Sequence, residues 1–173
     1  MKAPLLALLC TPAMALGADV AFAPRPLPDV KATLQVPEGW ATSQEAEDGV
    51  FVFHFSKEAA DASTSVTLSV TTKVPERTGQ KPTEYAAALI DMSKDEGATG
   101  NVVKGEVKGL PSIRSEYDFE SDAGKMRSVN VAIANDTTGT LYFFAWQAPL
   151  DDSVELEAIR EKILSTAEFD PAF

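Results

Sequence analysis

The strongest constraint on the fold comes from two segments that look like strands and are apolar on both sides. One covers residues 50–56, and the other covers residues 140–148. Side chains alternate between the two faces of a strand, so a segment that is apolar at odd and at even positions has no face suited to water. Residues 65–72 differ, because valine and leucine alternate there with serine and threonine. We therefore expect a sheet with a layer packed on each side.

Two segments with helical periodicity supply these layers. The apolar stripe of the first, over residues 82–96, contains Tyr85, Leu89 and Met92, with Ala86 and Ile90 alongside. In the second, near the C-terminus, Asp152 is a favourable N-cap residue. The apolar stripe of this second helix consists of Leu156, Ile159 and Ile163. We expect one helix on each face of the sheet.

Two hairpin loops predict the register of the central strands. A three-residue loop would place Ser121 opposite Lys125, and the apolar faces of both strands would then coincide, with Tyr117 facing Val129. The four-residue loop at 136–139 aligns the apolar residues of the next two strands in the same way. The pairs expected there are Ile133 with Tyr142, Val131 with Phe144, and Val129 with Trp146.

The predicted order of elements is β-β-β-α-β-β-β-β-α. This is an α+β fold, an α/β/α sandwich with a central antiparallel sheet of about seven strands. It occupies residues 32–173 as a single domain and begins with a short strand at 32–36. Residues 19–31 carry three prolines and are predicted to be an extended lead-in outside any sheet.

Residues 1–18 have the features of a secretory signal peptide. Lys2 precedes a compact apolar stretch that ends before Pro12, and small residues follow as far as Ala18. We expect cleavage after Ala18, with cleavage after Ala15 as the alternative. The sequence therefore predicts export, to the bacterial periplasm or as a secreted protein.

Cys10, the only cysteine, lies within the segment that cleavage would remove. The exported protein would then have no disulfide, and its fold would depend on packing alone. Lipidation of Cys10 would anchor the chain to a membrane, but Leu8 and Leu9 stand where a lipobox has small residues. The apolar stretch is also well short of the roughly 20 residues that span a bilayer. We expect no stable membrane insertion, and an envelope lipoprotein anchored through Cys10 is the less favoured alternative.

The charge balance limits the class of partner. The chain carries 26 acidic and 15 basic side chains, a net charge of −11. Such a surface repels nucleic acid and anionic lipid. We expect a protein partner and no nucleic acid.

Residue types suited to catalysis are scarce. His54 is the only histidine, so a zinc or copper site would lack nitrogen and sulfur ligands. No Gly-x-Ser-x-Gly motif accompanies it, and the glycines are too scattered for a nucleotide-binding loop. We expect no enzymatic activity, no catalytic residue, no bound metal and no cofactor. A hydrolase that uses carboxylates alone is the least favoured alternative.

Carboxylates alternate along one predicted strand. We call them the acidic strand face, which consists of Glu116, Asp118, Glu120 and Asp122. Such a row could collect a hard cation such as Ca²⁺. It is equally typical of a solvated strand face, and the Asp-x-Asp-x-Asp-Gly loop is missing. A solvated face is the favoured interpretation, and a cation site is the alternative.

Three aromatic residues alternate along the last predicted strand, namely Tyr142, Phe144 and Trp146. Alternating aromatic residues on a central strand are usually core. The alternative is that they line a cavity for a small apolar ligand.

Several short motifs resemble the PsbP and DcrB-like group. They are Val36-Pro37-Glu38-Gly39-Trp40, Pro82-Thr83-Glu84-Tyr85, Gly109-Leu110 and Thr140-Leu141-Tyr142. The resemblance covers residues 32–169, nearly all of the predicted domain. It implies an α/β/α sandwich and a non-enzymatic accessory or protein-binding role, and it brings no catalytic, metal-binding or partner-binding residue with it.

These observations predict an exported, non-enzymatic accessory or protein-binding module of the bacterial periplasm. A carrier of a small apolar ligand is the alternative from another class.

Overall fold

A computed structural model of the protein describes residues 20–58, 63–95, 102–122 and 124–173. The strands are β1 (Phe22–Leu27), β2 (Ala32–Pro37), β3 (Ala41–Glu47), β4 (Val50–Ser56), β5 (Ser65–Thr71), β6 (Val103–Val107), β7 (Leu110–Ser121), β8 (Gly124–Asn135), β9 (Thr140–Pro149) and β10 (Glu168–Phe169). The α-helices are α1 (Val74–Thr78), α2 (Pro82–Asp95) and α3 (Ser153–Thr166). Short 3₁₀ turns cover Pro28–Val30 and Leu150–Asp152.

The strands form two sheets within three layers. The central sheet has seven antiparallel strands in the order β3-β4-β5-β9-β8-β7-β6, and a small sheet has the order β1-β2-β10. Helix α2 packs on one face of the central sheet against β7, β8 and β9, while α3 contacts β9 and β2 on the other face. The predicted α/β/α sandwich with a central antiparallel sheet of about seven strands is confirmed.

The main core lies between the central sheet and the layer that contains α3 and the small sheet. Its middle consists of fully buried pairs from β5 and β9, because the apolar residues of these neighbouring strands stand opposite each other. These pairs are Val66 with Trp146, Leu68 with Phe144, and Val70 with Tyr142. A smaller core joins α2 to the opposite face and includes Ala86, Ile90, Ala132 and Leu141.

The two predicted helices are present, with differences in detail. The stripe of α3, Leu156, Ile159 and Ile163, is buried as predicted. The buried side of α2 is centred on Ala86 and Ile90, whereas Met92 is 65% exposed. Asp152 is the N-cap residue of α3, but its side chain makes no capping hydrogen bond.

The predicted lead-in is part of the fold. Residues Phe22–Leu27 form β1 and pair antiparallel with β2, so the domain begins before Ala32. Pro24 and Pro26 are accommodated because β1 is an edge strand, where a missing N–H group can face solvent. The strand predicted at 32–36 is β2 and belongs to the small sheet rather than the central one.

The place of that strand in the central sheet is taken by β3. This strand has the sequence Ala-Thr-Ser-Gln-Glu-Ala-Glu and is exposed from Thr42 onward. It carries no apolar alternation because it is an edge strand without a covering layer, so its sequence has no strand-like pattern.

The predicted register between β7 and β8 is also wrong. Ser121 stands opposite Gly124 rather than Lys125, and Glu116 rather than Tyr117 faces Val129. The apolar faces do not coincide because the charged side of β7 lies at the rim of the α3 layer, where ion pairs replace apolar packing. The register between β8 and β9 is confirmed, with Val131 opposite Phe144.

Candidate binding groove

A groove of about 920 Å³ lies between α3 and the edge of the central sheet. It forms because α3 packs on β9 and β2 and leaves the last strands, β7 and β6, uncovered on this face. The sheet contributes Val103, Gly105, Glu106, Val107, Lys108, Ser112, Arg114 and Val131 to the lining. The helix contributes Ala158, Arg160, Glu161, Lys162, Leu164 and Ser165. We call this the α3–β6 groove.

Gly105 keeps the floor of the groove open at its outer strand. It pairs with Ser112 in β7, and so it lies on the same side of the sheet as Arg114 and Val103. A Cβ atom added at Gly105 would meet only Ser112 Oγ, at 3.6 Å. A larger side chain at this position would therefore enter the groove without straining the strand.

A network of ion pairs borders the groove. Its members, the arginine network, are Arg114, Arg127, Arg160, Glu116, Asp118 and Glu157. Arg114 Nη2 donates to Glu116 Oε2 at 2.6 Å, and it lies 3.7 Å from Glu157 Oε2. Arg127 Nε donates to Asp118 Oδ1 at 2.7 Å. The network joins β7 and β8 to α3 at the rim of the helix layer.

Arg160 is the least solvated member of this network. The residue is 4% exposed, and one guanidinium nitrogen, Nη2, donates to Glu157. The other, Nη1, is buried and has no hydrogen-bond partner among the residues that the structure describes. Burial, together with the nearby charge of Arg114, lowers the pKa of Arg160 from its usual range. A buried N–H group without an acceptor destabilises the fold, and more so when it belongs to a cation. The Nη1 atom of Arg160 is therefore suited to donate to an anionic group of a ligand.

The structure divides the acidic strand face. Glu116 and Asp118 are held by arginines, whereas Glu120 and Asp122 are exposed. Within the described ranges, no three His, Cys, Asp or Glu side chains are grouped so that they could hold a metal ion.

We expect the pKa of Asp118 to lie below its ordinary value when it is followed by NMR titration. The hydrogen bond from Arg127 stabilises the carboxylate and so lowers this pKa. The stabilisation is present above the pKa of the unfolded chain and is lost as the pH falls through the lowered pKa. Arg127→Gln should return the pKa toward its ordinary value, and Arg25→Gln, on β1, should leave it unchanged. An unchanged pKa in the Arg127→Gln variant would contradict the pairing.

The three aromatic residues of β9 lie in the core. Tyr142, Phe144 and Trp146 are fully buried. The rings of Phe144 and Trp146 stack with centroids 5.0 Å apart, and the ring of Phe169 lies 4.5 Å from that of Tyr142. None of the three lines the α3–β6 groove.

His54 is half-buried on β4 and lies far along the sheet order from β6. Its Nδ1 atom is 3.0 Å from the hydroxyl of Thr67, the residue opposite it on β5. The contact is a cross-strand hydrogen bond and resembles no catalytic arrangement.

The sequence predictions did not include Arg160, Arg114 or Gly105. One signal was present for Arg160: it falls in the i+4 position of the apolar stripe that begins at Leu156, where a charged residue is unusual. No signal pointed to Gly105, because its role depends on how far α3 covers the sheet.

The order of strands and the helix on each face define the PsbP-like fold, and solved structures with this fold match the chain. The solution structure of cyanobacterial PsbP (CyanoP) from Synechocystis sp. PCC 6803 has a TM-score of 0.60 at 12% identity, covering 90% of this chain and 96% of that one. LpqN of Mycobacterium tuberculosis has a TM-score of 0.58 at 15% identity, covering 89% and 93%. The Ran-binding protein Mog1p of Saccharomyces cerevisiae has a TM-score of 0.55 at 12% identity, covering 87% and 96%.

No protein-family model and no curated protein matches the sequence. The structural matches therefore establish the PsbP-like fold that the sequence motifs implied. Over the described residues, no helix is both long enough and apolar enough to cross a bilayer.

Proposed function

We propose that this protein is an exported, non-enzymatic accessory module of the bacterial periplasm that binds a protein partner through the α3–β6 groove. The observation that carries the proposal is the groove itself, an open surface beside an edge strand, with a buried guanidinium whose Nη1 has no acceptor among the described residues. The names of proteins with the same fold agree with such a role. Mog1p is a Ran-binding protein, and LpqN is involved in cell envelope biogenesis.

The groove has the properties of a binding surface. Apolar side chains of Val103 and Leu164 line it next to charged ones. Its charged lining residues are four cations, Lys108, Arg114, Arg160 and Lys162, and two carboxylates, Glu106 and Glu161. This is the reverse of the whole chain, which carries a net charge of −11. A local positive region on an acidic protein directs an acidic partner to one place.

The signal-peptide features of residues 1–18 support an extracytoplasmic location. That segment lies outside the described residues, as does Cys10. The domain from β1 onward contains no cysteine, so an oxidising compartment places no redox demand on it.

Site-specific photocrosslinking in cells tests the proposal. A photoreactive amino acid at Val103, which is exposed and lines the groove, should give one discrete covalent adduct with a partner protein. The same amino acid at Thr42, exposed on the opposite edge strand β3, should not give it. Gly105→Val should reduce the Val103 adduct to less than about one tenth, because the added side chain projects into the groove beside Val103 and obstructs a bound segment there.

Lys104→Val is the matched control for this experiment. It introduces the same side chain one residue away on the same strand, but on the opposite face of the sheet, because Lys104 pairs with Ile113. It should leave the adduct intact. Equal adducts from Val103 and Thr42, or none from either, would contradict the proposed function.

A further inference from the structure

We propose that the α3–β6 groove binds an extended segment of the partner protein and that Arg160 receives a single Glu or Asp side chain of that segment. This inference rests on the proposed function and adds the chemistry of the partner.

The extended conformation follows from the position of β6. This strand is at the end of the central sheet, and no further strand of the described chain pairs with it. It is exposed from Val103 to Glu106. The unpaired backbone groups of an edge strand can form ladder hydrogen bonds with an added strand, and the groove between β6 and α3 gives alternate side chains of that strand a place to pack.

We infer an acidic residue in the bound segment from the contacts of the four cations that line the groove. Arg114 is held by Glu116 and Glu157. The other two exposed cations also have contacts: Lys108 Nζ donates to the Ser165 carbonyl oxygen at 2.6 Å, and Lys162 Nζ lies 6.0 Å from the ring centroid of Phe22.

Arg160 differs from these three cations. Its side chain is 5% exposed, it lines the groove, and its Nη1 has no acceptor in the described part of the chain. A carboxylate is the acceptor that matches a guanidinium in shape and charge. Arg160 Nη1 is therefore the position in the groove where a carboxylate of the partner would supply an acceptor.

The same lining limits the number of carboxylates. Glu161 on α3 also lines the groove, and its charge would repel a segment with several acidic residues. The segment should therefore carry one acidic residue flanked by apolar and neutral residues. This composition distinguishes it from a polyacidic tail.

Fluorescence anisotropy with two labelled peptides tests the inference on the wild-type protein. The first is an eight-residue capped peptide in which one glutamate is flanked by alternating valine and threonine, and the second has glutamine in its place. The glutamate peptide should bind about tenfold more tightly, because only the carboxylate forms a charge-assisted hydrogen bond with Arg160. Equal affinities would overturn the inference.

A third peptide tests the extended pairing. It keeps the glutamate, but alternate backbone nitrogens are methylated, which removes the N–H groups that would join β6. Its affinity should fall by about tenfold or more. An unchanged affinity would overturn the proposal that the segment adds to the sheet edge.

Two variants test whether Arg160 is the residue that prefers the glutamate peptide. Arg160→Met should remove the preference for glutamate over glutamine, whereas Lys57→Met, at an exposed cation of similar length, should keep it. Because Arg160 is buried, the comparison of the two peptides on the wild-type protein stands even where the variant does not fold.

A competition experiment with decanoate distinguishes a peptide ligand from a small apolar carboxylate ligand. Decanoate should not displace the glutamate peptide. Displacement by decanoate at the affinity of the peptide would overturn the inference in favour of a small-ligand carrier. A Val103 adduct in cells combined with equal binding of the glutamate and glutamine peptides would refute only this inference, whereas the lack of that adduct would refute the proposed function.

Discussion

Phe144→Ala is expected to lower the free energy of unfolding by about 3–5 kcal/mol. Phe144 is fully buried in the middle of β9, between Leu68 on β5 and Val131 on β8. Its ring stacks on Trp146, with 5.0 Å between the centroids. Removal of the ring loses apolar burial and leaves a cavity that the strands on either side cannot close, because their backbones are held in register by the sheet.

Urea denaturation with two comparison variants checks this expectation. Phe144→Leu keeps much of the volume and should cost no more than about half of the alanine loss. Val154→Ala removes methyl groups from a residue on α3 that is exposed, and it should change stability by less than about 0.5 kcal/mol. If Phe144→Ala lowers the free energy of unfolding by less than about 2 kcal/mol, Phe144 is not a central residue of the main core.

The centre of the fold could be predicted from sequence because each of its elements carries a local pattern that agrees with its burial. In β5 the alternation of apolar and polar residues reports directly which side chains face the core, and in β9 the apolar residues at odd and even positions report that both faces are covered. In α3 the spacing of Leu156, Ile159 and Ile163 does the same. The loop at 136–139 set the register of β8 and β9 because its length allowed only one alignment of their apolar residues.

The edges could not be predicted in this way, because edge strands bury little and so carry little pattern. The polar sequence of β3 and the prolines of β1 both argued against strands, yet each pairs along its whole length with one neighbour. The β7–β8 register failed for a related reason. It assumed that apolar residues must face each other, while Glu116 opposite Val129 is satisfied by Arg114 and Arg127 at the rim of the helix layer.

The candidate site lies at one of these edges, which explains why the sequence did not reveal it. The groove exists because α3 stops short of β7 and β6, and that is a property of packing rather than of any motif. Of the two patterns considered as sites, the acidic strand face is ion-paired at Glu116 and Asp118 and exposed at Glu120 and Asp122, and the aromatic residues of β9 lie in the packed core. The residue with the clearest functional character, Arg160, is one that departs from its local pattern.

Arg160→Met is expected to raise the free energy of unfolding by about 1–2 kcal/mol and, at the same time, to abolish the preference for the glutamate peptide. Burial of a guanidinium costs several kcal/mol of hydration, and the single contact with Glu157 recovers only part of it because Nη1 has no acceptor. Methionine fills a similar volume on the helix and needs no hydrogen bond. Glu157 is not left in isolation, because Arg114 lies 3.7 Å away and its side chain is 46% exposed.

Urea denaturation of the Arg160→Met and Arg127→Met variants distinguishes an arginine that serves binding from one that stabilises the fold. Arg127 is more exposed and has both Asp118 and Glu116 as partners, so its replacement should not raise stability. If a residue destabilises the fold and its replacement weakens only ligand binding, then ligand binding explains why that residue is present. If Arg160→Met instead lowers the free energy of unfolding by more than about 1 kcal/mol, Arg160 is a structural ion-pair partner and its free nitrogen has another acceptor.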